Sequence, residues 1–108
     1  MANKIKVIAK KPGKAPYVTT INNELKSFQR MVDGHIENFQ VMTDMALICN
    51  EEGRLMGMDY NFHIGGMPFF GPCFFVGTDL ESGEYTDCPA TLEDIKELCP
   101  SFMWGEKK

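Results

Sequence analysis

Along residues 4–10 the chain alternates, with Ile5, Val7 and Ala9 facing one way and Lys4, Lys6, Ile8 and Lys10 the other. A period of two is the mark of a strand with one face in the core. Pro12-Gly13-Lys14-Ala15-Pro16 interrupts it, and Tyr17 to Ile21 resumes in aromatic and β-branched residues. The two stretches are therefore expected to form a hairpin. The row of Lys suits an edge strand, where charge discourages pairing with another molecule. From Asn23 to Val32 the period lengthens: Leu25, Phe28, Met31 and Val32 share one helical face, and Lys26, Gln29 and Arg30 point outward. Asn22 or Asn23 is the expected N-terminal cap, and Gly34 stands where a left-handed residue closes a helix.

His35 to Met42 returns as a strand of imperfect alternation, with Glu37, Phe39 and Val41 on one face and Ile36, Asn38 and Gln40 on the other. Met45-Ala46-Leu47-Ile48-Cys49 has no polar position, which places it at the centre of the sheet with both faces buried. Asn50-Glu51-Glu52-Gly53 reads as a tight hairpin loop in which Gly53 supplies a positive φ. Arg54 to Met58 is then the strand that pairs back, and Gly57 within it marks a bulge or a close approach of another backbone. From Asp59 to Pro72 the pattern dissolves. Phe62, Ile64, Met67, Phe69 and Phe70 sit among Pro and Gly with no period, so the segment is read as an irregular loop. Such a loop is either folded over the core or exposed as a contact surface, and both readings stand.

Cys73 to Gly77 is a further strand and Glu81 to Glu84 a turn. Thr91 with Asp94 three residues on resembles a capping box, and Leu92, Ile95, Leu98 and Cys99 line one side of a short helix that Pro100 follows. The tail from Trp104 to Lys108 is expected to fray. Together these elements predict one α+β domain over residues 1–108, ordered from about 3 to 103. Its expected architecture is a mixed, mainly antiparallel sheet of five or six strands, with the amphipathic helix on a face and the short C-terminal helix at an edge or on the same face. The strands before Asn22 and after Gly34 flank one helix and so can run parallel through a right-handed crossover.

A chain of 108 residues with 44% apolar content can bury a core without metal or disulfide help. Net charge is −4, but unevenly spread: residues 1–14 hold five Lys and no acid, and residues 79–99 hold seven acids against Lys96. The basic end admits a nucleic-acid partner, yet a solvated strand and turn explains it as well, and that reading is preferred. With neither a signal peptide nor an apolar run of roughly eighteen residues, the expectation is a cytoplasmic protein without a membrane span. Cys49, Cys73, Cys88 and Cys99 are spaced 24, 15 and 11 apart, which matches no zinc or redox motif, so reduced thiols are expected and no metal site.

Catalytic options are few. His35 follows Gly34 and reads as the start of a strand; His63 lies beside Gly65-Gly66, whose amides could meet an anion. No phosphate-binding glycine pattern is present, Glu51-Glu52 reads as solvated turn, and Cys73 with His63 is the sole nucleophile and base the sequence brings near each other. No reaction class and no cofactor emerge.

Val32-Asp33-Gly34-His35-Ile36-Glu37 resembles a family's V-x-G-x-I-E step, Ala46 to Leu55 is similar to its central ALICNEEGKL block, and Asn61 falls where its next Asn does. Phe75-Val76-Gly77 is similar to the strand that follows. The family is the domain of unknown function 3846, met in bacterial chromosomes, phages and conjugative elements, and the likeness runs over roughly residues 5 to 99. Phe62 departs from it, standing where an Arg or small polar residue is usual. The resemblance implies a small intracellular protein, often encoded by a mobile element, and carries over no catalytic residue. The expected function is thus a non-catalytic accessory protein that binds a protein partner, or a second copy of itself, through Phe62, Met67, Phe69 and Phe70. The alternative is a small-molecule binder for a nucleotide-like or other anionic ligand, held by His63, Gly65 and Gly66 with Asn50, Arg54 and Asn61 as polar contacts.

Overall fold

The computed structural model of the chain describes residues 3–99. The end of the expected ordered core and the expected frayed tail lie outside them. The elements run β1 (Lys4–Lys10), β2 (Tyr17–Asn22), α1 (Leu25–Val32), β3 (Ile36–Met42), β4 (Met45–Asn50), β5 (Tyr60–Ile64), β6 (Met67–Phe70), β7 (Cys73–Asp79), β8 (Glu84–Thr86) and α2 (Leu92–Leu98). The main sheet is ordered β2-β1-β7-β4-β3, with β8 pairing on β7, and every ladder in it is antiparallel. β5 and β6 form a separate two-stranded sheet. The fold class is α+β, as the pattern of the chain predicts.

β4 is buried at all six positions, as its unbroken apolar run requires. The expected return strand Arg54–Met58 does not form. β4 already has β3 on one side and β7 on the other, so no edge of it is open, and Arg54–Met58 stays a turn. Leu55 is 87% exposed there. Gly53 is not at positive φ; it is buried with its α-carbon against the Phe70 carbonyl, where an added Cβ would lie 2.7 Å from that oxygen. Gly57 supplies the left-handed conformation instead, at φ 77°, with open space around it, so no backbone approaches it.

β1 and β2 pair from Lys4–Asn22 to Ala9–Tyr17, as expected of a hairpin. The Lys-bearing strand is not the edge, however: β1 sits between β2 and β7, and uncharged β2 is outermost. β2 and β3 do point the same way, but from opposite edges, with α1 crossing the face between them.

One face of the sheet, Ile5, Val7, Ala9, Ala46, Ile48, Phe74 and Val76, receives Phe28 and Val32 of α1. Phe28 meets the Phe74 ring edge-on, with centroids 5.1 Å apart. An eight-residue helix is marginal alone, and burying these two side chains contributes about 1.5–3 kcal/mol each, so α1 is held by the sheet. Its start is less defined than the sequence suggested. Glu24 is the N-terminal flanking residue and makes no side-chain cap, and Asn23 Nδ2 donates to the Tyr85 carbonyl. At the other end Asp33, not Gly34, is left-handed, at φ 62°. Gly34 is needed for space: a Cβ there would lie 2.6 Å from Asn50 Nδ2.

The opposite face holds Ile8, Leu47, Cys49, Cys73 and Phe75, and it is covered by Phe62 and Phe69 of the β5–β6 hairpin and by Ile95 of α2. α2 is therefore across the sheet from α1. Its capping box forms as the sequence indicates, with Thr91 Oγ1 accepting from the Asp94 amide and Asp94 Oδ2 from the Thr91 amide. Among the described residues no helix is long and apolar enough to cross a membrane.

Candidate functional site

The segment read as an irregular loop is an ordered hairpin. Gly65, at φ 59°, and Gly66 form its two-residue turn, closed by the Ile64–Met67 pair. The pairing is Tyr60–Phe70, then Phe62–Phe69, which leaves Asn61 as the extra residue of a bulge. A bulge breaks strict alternation, and here it turns two consecutive side chains inward. Asn61 and Phe62 are both fully buried.

The inward side carries a polar latch. Lys10 Nζ donates to Asn61 Oδ1 at 2.7 Å and to the Lys11 carbonyl at 2.8 Å. Asn61 Nδ2 donates in return to the Lys10 and Gly71 carbonyls, both at 2.8 Å. The hairpin is thereby fastened to β1 and to the loop before β7, on top of the ring contacts of Phe62 with Phe75 and of Phe69 with Phe39. The alternation of β1 put Lys10 with the outward Lys; it is buried because β5 covers that end of the strand and leaves Lys4 and Lys6 wet. Among the described residues no buried side-chain nitrogen or oxygen lacks a partner.

Burial lowers the Lys10 ammonium to about 8, against the weaker opposing pull of Cys99 and Cys73. Burial raises the thiols: Cys49 to about 11, Cys99 to about 11, Cys73 and Cys88 also upward. All four cysteines are free and buried. The signs oppose each other. The unfolded lysine stays protonated up to its ordinary 10.5, so between pH 8 and 10.5 the unfolded state holds more protons at Lys10 and stability gains with pH. Unfolded thiols ionise near 9 while the buried ones do not, so above pH 9 stability is lost at four sites. Thermal melts should show a shallow gain from pH 8 to 9 and a steeper fall above it; Lys10→Met should abolish the gain and keep the fall.

Several apolar residues on the hairpin and on the turn before it are wet. Met67 is 48% exposed, Tyr60 42% and Met56 57%, beside the still more open Leu55. Half-buried Phe70 joins them: its ring lies 6.0 Å from that of Tyr60, and the Arg54 guanidinium stands 5.4 Å over its centroid. A cleft of about 220 Å³ opens between this surface and β3, with Glu37, Glu51 and Arg54 as its charged groups.

The proposed contact residues therefore divide. Met67 is exposed and Phe70 half-buried, on opposite faces of β6, whereas Phe62 and Phe69 are core; Met67 shares the Phe69 face and is open because it lies at the turn end of the hairpin. Of the polar set, Asn50 and Arg54 line this cleft together, and Asn61, His63, Gly65 and Gly66 do not. Asn50 is buried at the end of β4, donating from Nδ2 to the Val32 and Asp33 carbonyls and accepting on Oδ1 from the Glu52 amide, so it ties the end of α1 to the sheet centre. Asn61 belongs to the latch. His63 Nδ1 is bonded to the Tyr60 hydroxyl, apart from the cleft. Arg54 shares the cleft with two carboxylates, which disfavours an anion there. Among the described residues no three His, Cys, Asp or Glu side chains come together as metal ligands. The sequence pattern does not mark Leu55, Met56 and Tyr60 as exposed, because the first two fall in a stretch that reads as a paired strand. Arg54 to Met58 carries an exposed Leu-Met pair between two Gly, and that was the available signal.

A family model, the Domain of unknown function (DUF3846), matches residues 5–99. No curated protein and no solved structure matches the chain.

Proposed function

We propose, for a chain that belongs to the domain of unknown function family DUF3846, a non-catalytic role as a binding module, in which exposed residues of the β5–β6 hairpin and the neighbouring turn dock a protein partner. The observation that carries this reading is the group of exposed Tyr60 and Met67 and half-buried Phe70 around the Arg54 guanidinium, with Leu55 and Met56 exposed on the turn that holds Arg54. Aromatic residues, Met and Arg are the types enriched at protein interfaces, and exposed apolar patches of this kind otherwise work against solubility. The setting suggested by the resemblance, a cytoplasmic accessory protein of a mobile element, suits a module that acts by contact. The small-ligand reading has less support, since Asn50 and Asn61 are engaged by backbone and Gly65 and Gly66 form a turn tip.

A photo-crosslinking amino acid at Met67 should yield a discrete adduct with a foreign protein in a host lysate, and the same group at Leu80, exposed elsewhere, should not. Leu55→Asp should weaken the Met67 adduct at least tenfold, about 1.4 kcal/mol. Equal labelling from both positions would refute the patch.

A further inference from the structure

We propose that the free edge of β2 pairs with β2 of a second copy of this chain, joining two main sheets into one across a two-fold axis. The fold treats its two edges differently. β3 carries Glu37 and a bulge where Gln40 pairs with Ala46 and Met42 with Met45, leaving Val41 over, and both features discourage strand addition. β2 carries neither. Its six residues, Tyr17-Val18-Thr19-Thr20-Ile21-Asn22, contain no charge, no Pro and no bulge, and they pair with β1 in unbroken register. Tyr17 and Val18 are 39% and 47% exposed on it.

The occupant follows from symmetry and charge. Two antiparallel copies related by an axis perpendicular to the sheet keep α1 on the same side, so facing residues must have numbers of equal parity. Centred on Thr19, the ladder sets Thr19 against its own mate, Val18 against Thr20, and Tyr17 against Ile21. Aromatic with β-branched, β-branched with β-branched, and Thr with Thr are the cross-strand pairs that stabilise sheets. The usual obstacle to homotypic pairing, a charge facing its symmetry mate, cannot arise in an uncharged strand. The nearest cations on this ladder are Lys6 of each β1, which pairs with Thr20. They would be three strand spacings apart, roughly 14 Å, beyond the screening length of about 8 Å at physiological salt.

The test is sedimentation velocity over roughly 1–300 µM, with an expected dissociation constant in the micromolar range. Thr19→Lys places like charges opposite each other at the axis and should raise that constant at least tenfold with the far-ultraviolet spectrum unchanged, while Thr19→Ser should leave it alone. Because the native thiols are buried, Thr19→Cys should give a covalent dimer under mild oxidation and Asn38→Cys on β3 should not. A wild type monomeric throughout, a dimer indifferent to Thr19→Lys, or cross-linking from position 38 instead would overturn the proposal. So would a dimer dissolved by Met67→Asp, which would put the self-contact on the hairpin.

Discussion

Asn61→Leu should lower the unfolding free energy by about 3–5 kcal/mol, among the largest effects of any single change in the chain. The substitution is close in volume, so the loss is polar. Lys10 Nζ forfeits its side-chain acceptor inside the core, and the Lys10 and Gly71 carbonyls lose a shared donor. Removing the amide leaves a buried ammonium and two buried carbonyls each short of a partner, and these desolvation costs add up to more than the net value of an ordinary hydrogen bond, about 1 kcal/mol. Lys10→Met/Asn61→Leu should recover at least about 2 kcal/mol of that loss, since no ammonium is then left in the core. Urea denaturation of the four proteins closes the cycle. A double variant no more stable than Asn61→Leu would mean that the latch is not the source of the loss.

Phe62→Ala should cost about 3–5 kcal/mol and Met67→Ala no more than about 0.5, although both positions lie in one apolar run. Phe62 is fully buried, 5.4 Å from the Phe69 ring and 5.9 Å from Phe75, so truncation leaves a void between the hairpin and the sheet. Met67 faces water and supports no neighbour in the core. The two urea midpoints should therefore separate widely. Similar midpoints would mean that Phe62 is not packed between the hairpin and the main sheet.

How much of this could be read from the chain depended on where the deciding contact lay. α1, β4 and the Thr91 capping box were legible because neighbours in sequence settle them: helical spacing, an unbroken apolar run, and a cap three residues from its partner. The fate of Lys10 was not, because its cover comes from Asn61, 51 residues downstream. Arg54–Met58 has the composition of a strand and loses its place to β3 and β7, whose ladders fill both edges of β4. The hairpin was hidden by its own bulge. With Asn61 inserted, the alternation of β5 is broken at its second residue, and a strand that has lost its period reads as a loop. The same difficulty governed the candidate site. Four aromatic and Met positions are legible in sequence, but the bulge decides the burial of Phe62 and the place of Met67 at the turn end its exposure, and Tyr60 is set opposite Phe70 only by the register.

Hydrogen exchange on the unbound protein reads the fastened hairpin directly. The paired amides of β5 and β6 should exchange within about tenfold of those in β7, because the latch and the Phe62–Phe75 contact make them open together with the main sheet, and Asn61→Leu should accelerate the hairpin selectively. If instead they exchange in wild type as fast as the amides of residues 51–57, the hairpin is not fastened to the core. Neither the latch nor the patch built on the hairpin would then stand.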